Sequence, residues 1–343
     1  MSRHTIAFAI FIVLTGCSGA MQSPSSTAGS AAGSAARHPQ PSTSISARGH
    51  MTVHRDLARS HVSKIATASK LLYVSDASTG DVQIFSYPTG APVGTITGFN
   101  EPQGECVDGK GDVFVTNTQA SQILEFAHGG TTPIATFSDA GQFPVACAIS
   151  SLTGELAVSN AFDSSFSTAS VSIFNPTTKK AKTYPNPLFW ESYFLSFDNE
   201  NNVYVDGLVT GGYFTFGLAE LHKGTWNYTA VPLDTTVNWP GNVVWSKENL
   251  AVGDQEYTPD SSAVYQVQLA ASSGSVVGTT VLDTSCDVVQ FYILNSLLSA
   301  PDACKPGVGE YAYPAGGGRK KLVKTGLVNP VGAVVSVAKV TTP

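Results

Sequence analysis

A four-residue column returns six times along this chain, and no other feature constrains the fold as much. It reads Val82-Gln-Ile-Phe85, Ile123-Leu-Glu-Phe126, Val171-Ser-Ile-Phe174, Leu218-Ala-Glu-Leu221, Val264-Tyr-Gln-Val267 and Val308-Gly-Glu-Tyr311. Its first members are spaced by 41, 48, 47, 46 and 44 residues. Short alternating apolar runs repeating at that interval predict the blades of a β-propeller. The expected fold class is therefore all-β, a six-bladed β-propeller over residues 61–343.

A second column precedes the first in every repeat: Tyr73-Val74, Phe114-Val115, Ala157-Val158, Tyr204-Val205, Ala251-Val252 and Leu297-Leu298. It predicts the second strand of each blade, and the opening column predicts the third. First strands are expected to begin near Pro102, Pro144, Glu191, Pro240, Asp287 and Pro330. The first repeat has no long strand before Leu71, whereas the C-terminus carries a spare one, Asn329-Pro-Val-Gly-Ala-Val-Val-Ser336. The spare strand is expected to become the inner strand of the first blade. Such closure removes the free sheet edges that invite aggregation.

Charge narrows the partners. Residues 65–343 hold 13 of the 19 bases and 24 of the 25 acids, a net of −11. Such a body repels phosphate backbones, which argues against nucleic acid as a partner, and attracts cations or basic surfaces.

The N-terminus reads as an address. Arg3 is followed by the apolar run Ile6–Leu14 and then Leu14-Thr15-Gly16-Cys17. Nine apolar residues rise about 14 Å as a helix, too little for a bilayer core of about 30 Å. The pattern is that of an export signal, residues 1–16. Leu-Thr-Gly-Cys resembles the lipobox of bacterial lipoproteins. That resemblance implies cleavage before Cys17, lipidation of Cys17, and a lipid bilayer as a partner. The non-acidic Ser18 that follows implies outer-membrane delivery in a Gram-negative host. Residues 17–60 then read as a flexible tether. Ser23–Ser46 is nearly all Ser, Ala, Gly, Thr and Pro and cannot bury enough surface to offset chain entropy. His38, His50, His54 and His61 in or just after it read as solvated spacer rather than a metal site.

Pro102-Gln-Gly-Glu-Cys-Val-Asp-Gly-Lys-Gly-Asp-Val-Phe-Val-Thr-Asn117, followed by Ile123–Phe126, resembles an NHL repeat. Phe197-Asp-Asn-Glu-Asn-Asn-Val-Tyr-Val205 is a second, partial match. The other repeats keep the strand columns but lose the Pro-x-Gly or the Asp-Gly turn. The resemblance implies a six-bladed propeller. Its wider group contains gluconolactonase-like metal hydrolases as well as non-catalytic binding proteins.

After Cys17 four cysteines remain, an even number in an exported chain, which predicts two disulfides. Cys286–Cys304 would staple the sixth blade to its long loop, Ser299–Gly307. Cys106 and Cys147, on neighbouring inner strands, either bridge two blades or stay as buried thiols.

In a propeller the loops entering the first strands and the second-to-third connections share the face around the channel mouth. That face is expected to carry Glu101, Trp190, Glu191, Asn238, Trp239, Asp254, Tyr257 and Asp287, with long middle-blade loops at Ser159–Ser170, Asp206–Gly217 and Gly253–Ala263. Aromatic, acidic loops on a rigid scaffold read as a binding surface. Gluconolactonase-like propellers hold a calcium-type ion with acids and amides from inner-strand ends. The candidates implied here are Glu101, Glu191, Asn238 and Asp287, around calcium or another divalent cation. Histidine chemistry is poorly supplied. His128 and His222, in the domain, both fall at third strands away from the axis. Gly316-Gly-Gly-Arg-Lys-Lys321 reads as a hairpin turn with solvated charges.

The expectation is a cell-envelope lipoprotein whose propeller binds a protein, peptide or glycan without catalysis. The alternatives are a metal-dependent lactone or ester hydrolase of gluconolactonase type and a structural part of an envelope assembly.

Overall fold

The computed structural model describes residues 69–339 apart from Tyr213, Ser272, Lys324 and Thr325. The signal segment 1–16, Cys17, the tether and residues 61–68 lie outside the described residues. The described strands form six four-stranded antiparallel sheets. The first contains β1 (Lys70–Asp76), β2 (Asp81–Ser86) and β3 (Pro92–Ile96). The second is β4 (Pro102–Val107), β5 (Val113–Asn117), β6 (Gln122–Phe126) and β7 (Pro133–Ser138). The third is β8 (Gln142–Ile149), β9 (Leu156–Asp163), β10 (Ser170–Phe174) and β11 (Ala181–Pro185). The fourth is β12 (Phe189–Phe197), β13 (Val203–Val209), β14 (Phe216–Leu221) and β15 (Tyr228–Ala230). The fifth is β16 (Pro240–Ser246), β17 (Asn249–Thr258), β18 (Ser261–Ala270) and β19 (Ser273–Leu282). The sixth is β20 (Tyr292–Leu294), β21 (Leu297–Asp302), β22 (Gly307–Ala312) and β23 (Gly316–Val323). The last strand, β24 (Pro330–Val337), returns to pair with β1 from Lys70↔Val337 to Asp76↔Pro330 and completes the first sheet. The closed six-bladed propeller expected from the repeat is the fold observed, and both sequence columns fall on the second and third strands of every blade.

Burial explains why these strands do not alternate. All five residues of β5 and of β10 are buried, because their two faces pack against the neighbouring blades. The outer strand β11 is mostly exposed. Between the second and third blades Phe114 packs tilted on Phe137 and Phe137 packs edge-to-face on Phe174, at 5.8 and 5.5 Å between ring centroids, beside the Cys106–Cys147 disulfide. That bridge links β4 to β8, so the second pair of cysteines joins two blades. The expected Cys286–Cys304 disulfide is also present.

The Pro-x-Gly heads of the inner strands have a steric cause. A Cβ on Gly104 would stand 2.5 Å from Val145 O in the next inner strand, and one on Gly332 would stand 2.5 Å from Gln103 O, the same contact one blade earlier. Only glycine lets the strands converge there.

Three expectations are corrected. The segment near Asp287 does not begin a strand; Asp287 has φ +50° and the inner strand of the sixth blade is only Tyr292–Leu294. A left-handed residue breaks the pleat, so the ring is joined there by Asn242 N–H to Val289 O (3.0 Å) and Gln290 N–H to Val331 O (3.1 Å). Gly316–Lys321 is not a turn but part of the outer strand β23, and the half-buried Arg319 binds Asp302, Ser285 and Thr284. Ser299–Asp302, expected in a loop, belongs to β21.

Candidate functional site

The face around the channel mouth is built by one recurring device. On four blades an Asp or Asn of the second strand stands opposite the proline of the first strand: Asp76↔Pro330, Asn117↔Pro102, Asn160↔Pro144 and Asp254↔Pro240. Three of these side chains clasp the loop that enters the inner strand. Asp76 accepts from Asn329 N–H, Asn117 Oδ1 from Asn100 N–H (2.6 Å), and Asp254 from Asn238 N–H (3.1 Å) and Trp239 N–H (3.2 Å). Backbone donors left by a loop turning into a strand need such acceptors once buried. The signal for it in the sequence is an Asp or Asn two residues after the valine of the second-strand column, at Asp76, Asn117, Asn160 and Asp254. Asp254 is buried within β17, its carboxylate taken up by the clasp and by Glu256 N–H (3.2 Å). Burial raises its pKa, against the pull of these hydrogen bonds.

On the axis, Gln290 closes the channel. Above it lies a recess of about 30 Å3, lined by Phe143, Phe162, Phe194, Val289, Glu191 and Tyr193 among others. Glu191 is 3% exposed, and burial lifts its carboxyl to about 7. The recess has room for a water molecule or a methyl group, whereas small-molecule sites span about 300–1,000 Å3.

Aromatic side chains form an arc around the mouth. Phe166 meets Phe143 (5.1 Å) and Phe162 (6.1 Å), Phe162 meets Trp190 (5.7 Å), and Phe214 meets Trp239 (5.8 Å). Phe166 and Phe214 are exposed at the tips of second-to-third connections, with φ +53° and +50°. Bulky residues rarely adopt that conformation, and where they do the strain is characteristic of functional loops. Tyr257 packs edge-on to Tyr265 at 6.2 Å. Beyond the arc, between the fourth blade and the segment that leads into the fifth, a groove of about 640 Å3 is lined by Phe214, Phe216, Leu233, Thr235, Thr236 and Asn238 among others. Periodicity could not reveal it, because the segment 231–239 that walls it carries no strand pattern.

The four expected metal ligands are spread and engaged. Glu101 (φ +61°) accepts from Gln103 Nε2 at Oε1 (3.2 Å) and from Gln119 Nε2 at Oε2 (2.8 Å). Asn238 is exposed and donates from Nδ2 to Glu256 O (2.9 Å). Glu191 faces the recess. Asp287 Oδ2 lies 3.1 Å from Cys304 Sγ, and burial, reinforced by Glu256, raises its carboxyl to about 6. Among the described residues the one trio of His, Cys, Asp or Glu ligand atoms within 4.8 Å is Cys286, Asp302 and Cys304, and its cysteines are disulfide-bonded. The quartet does not fit a shell of six to eight oxygens around one hard cation.

Sequence comparison adds no family: no protein-family model matches the chain, and no curated protein matches it. Structure comparison gives the fold. A chain in the crystal structure of a nidogen/laminin complex is similar at a TM-score of 0.61 and 12% identity, over 79% of this chain and 100% of that one. A functionally unknown protein from Desulfotomaculum acetoxidans DSM 771 is similar at 0.55 and 13%, over 78% and 99%. At such identities the likeness is one of architecture alone.

Proposed function

We propose that the chain is an envelope-anchored recognition protein that binds a protein, peptide or glycan across its mouth face without catalysing a reaction. One contrast carries the reading. The axial recess, where a hydrolase of this architecture would work, has room for about 30 Å3, while the adjoining groove has about 640 Å3 and is flanked by exposed aromatics. Glu191, 3% exposed, lines the narrow recess, whereas a flat or extended ligand can lie on the arc. Anchoring through Cys17 agrees with the geometry. Lys70 begins β1 at the end opposite the mouth, so a tether arriving there leaves the binding face pointing away from a membrane. The structure similar to it within a nidogen/laminin complex is itself described as part of a protein complex, which accords with a binding role.

The test is a screen of the full chain against peptide and glycan arrays, with Trp239→Ala and Phe166→Ala as variants. Binding that both variants weaken, with melting unchanged, supports the reading. Turnover of lactones or esters that Glu191→Gln abolishes would replace it with the hydrolase.

A further inference from the structure

Charge is divided between the two faces of the ring. Lys110, Lys179, Lys180, Lys223, Lys247 and Lys339 all lie beyond strand ends on the face opposite the mouth. They offset the acids of that face, among them Asp108, Glu155, Glu200 and Glu248. Among the described residues the mouth face has no such balance. Around the groove and the fifth and sixth blades stand Asp234, Glu256, Asp260, Asp283 and Asp287, of which the first four are exposed. Two described cations reach this side. Arg319 is held by Asp302, Ser285 and Thr284, and Lys305 donates from Nζ to Thr284 O (3.2 Å), which keeps its charge next to Asp283 and away from Glu256 and Asp260 in sequence. Burial raises the Asp287 carboxyl to about 6, and the charge of Glu256 acts in the same direction.

Resting on the binding role proposed above, we infer that the ligand of this face is a polypeptide segment bearing lysine or arginine, with an apolar residue seated against Phe214 in the groove and its cations on Glu256 and Asp260. Glu256 and Asp260, which form no ion pair with a described cation, favour such a segment through charge complementarity, and the exposed aromatics favour it through cation–π contact. A neutral glycan can donate hydroxyl hydrogen bonds to the acids but brings no opposite charge, and an anionic one is repelled by them. A single divalent cation needs converging carboxylates, which the described residues do not supply here.

The experiment titrates the full chain with three fluorescent peptides: alternating lysine/phenylalanine, alternating glutamate/phenylalanine, and a serine/phenylalanine control. The lysine/phenylalanine peptide should bind, and weaken at least about tenfold between 0.05 and 0.5 M salt, as exposed charge pairs do. Glu256→Gln/Asp260→Asn should weaken it by a similar factor, and so should Phe214→Ala. Glu200→Gln on the opposite face should leave it unchanged. All four positions are exposed, so circular dichroism should show native folding in every variant. Equal binding of the three peptides, or undiminished binding by the acid-neutralised variant, would overturn the inference. Glycan binding lost in Trp239→Ala, with no response to basic peptide, would overturn the partner and leave the recognition role standing. Silence towards both ligand classes would remove the two together.

Discussion

The side-chain amide of Gln290 binds the backbone of Glu105 at both of its polar groups, although 185 residues separate them. Glu105 N–H donates to Gln290 Oε1 (2.8 Å) and Gln290 Nε2 donates to Glu105 O (2.8 Å). A carboxamide has the donor and acceptor of a peptide unit, so Gln290 takes the place of a strand partner on the open inner edge of β4. It thereby ties the sixth blade to the second across the axis. Gln290→Ala leaves two buried backbone groups unpaired and should cost about 2–4 kcal/mol. Chemical denaturation checks this. Gln290→Met, which keeps the volume and loses the bonds, should be nearly as unstable; a Met variant of native stability would show that packing rather than the amide holds the axis.

Closure by β24 makes a sharp demand on the tail. Its residues are almost all buried, and Val334 and Val335 pack in the cores on either side of the first blade. Removing residues 330–343 exposes Leu71, Leu72 and Tyr73 and opens the ring. The expected outcome is loss of a cooperative thermal transition by circular dichroism, rather than a small shift in Tm.

How much of this was legible beforehand depended on period. Strands repeat with a regular burial pattern, so Val82, Ile123 and Val264 announced the third strands, and the duplicated head at Asn329 announced the closure. Asp287 was misplaced because a left-handed backbone leaves no hydropathy signature; only the structure shows that the chain turns there. Arg319 was misread because Gly316-Gly-Gly resembles a turn in sequence, while an outer strand tolerates glycine when Arg319 can tie it to Asp302. The candidate site was legible in composition, as aromatic and acidic loops, but not in geometry. Gln290 and the groove wall at 231–239 depend on contacts between blades that no local pattern encodes.

The clasp on the fifth blade separates a structural acid from a binding one. Asp254→Ala strands the N–H groups of Asn238, Trp239 and Glu256 in a part-buried setting and should cost about 1–3 kcal/mol. Asp254→Asn keeps one acceptor and should cost about half as much. If the two variants melt alike, the hydrogen bonds are not what hold the loop. Because Trp239 is carried on that loop, ligand affinity should fall with Asp254→Ala in proportion to the loss of order, measured by Trp fluorescence.

The two disulfides differ in the loops they close. Cys106 and Cys147 are 41 residues apart, Cys286 and Cys304 are 18 apart. Chain-entropy arguments give about 4 kcal/mol for the first and about 3 kcal/mol for the second. Reduction should therefore lower the denaturation midpoint markedly. The Cys106→Ala/Cys147→Ala variant should be less stable than Cys286→Ala/Cys304→Ala, compared in urea at one pH.

Glu191 sets a pH dependence whose sign is opposite to that of an ordinary salt-bridged acid. Burial raises its carboxyl from 4.5 to about 7 in the folded chain. Between those values the folded state holds more protons than the unfolded one, so stability falls as pH rises through the window and levels off above about 7. A shift of that size corresponds to about 3 kcal/mol of lost stability. Asp139 and Asp287, raised by burial to about 6, act in the same direction over a lower window. The chain should thus be more stable at pH 5 than at pH 8. Glu191→Gln, which removes the ionisation and retains the shape, should flatten the upper part of the profile and raise the midpoint at pH 8. Unchanged pH dependence in that variant would mean that the carboxyl is solvated in the recess, and that the mouth is more open than its lining implies.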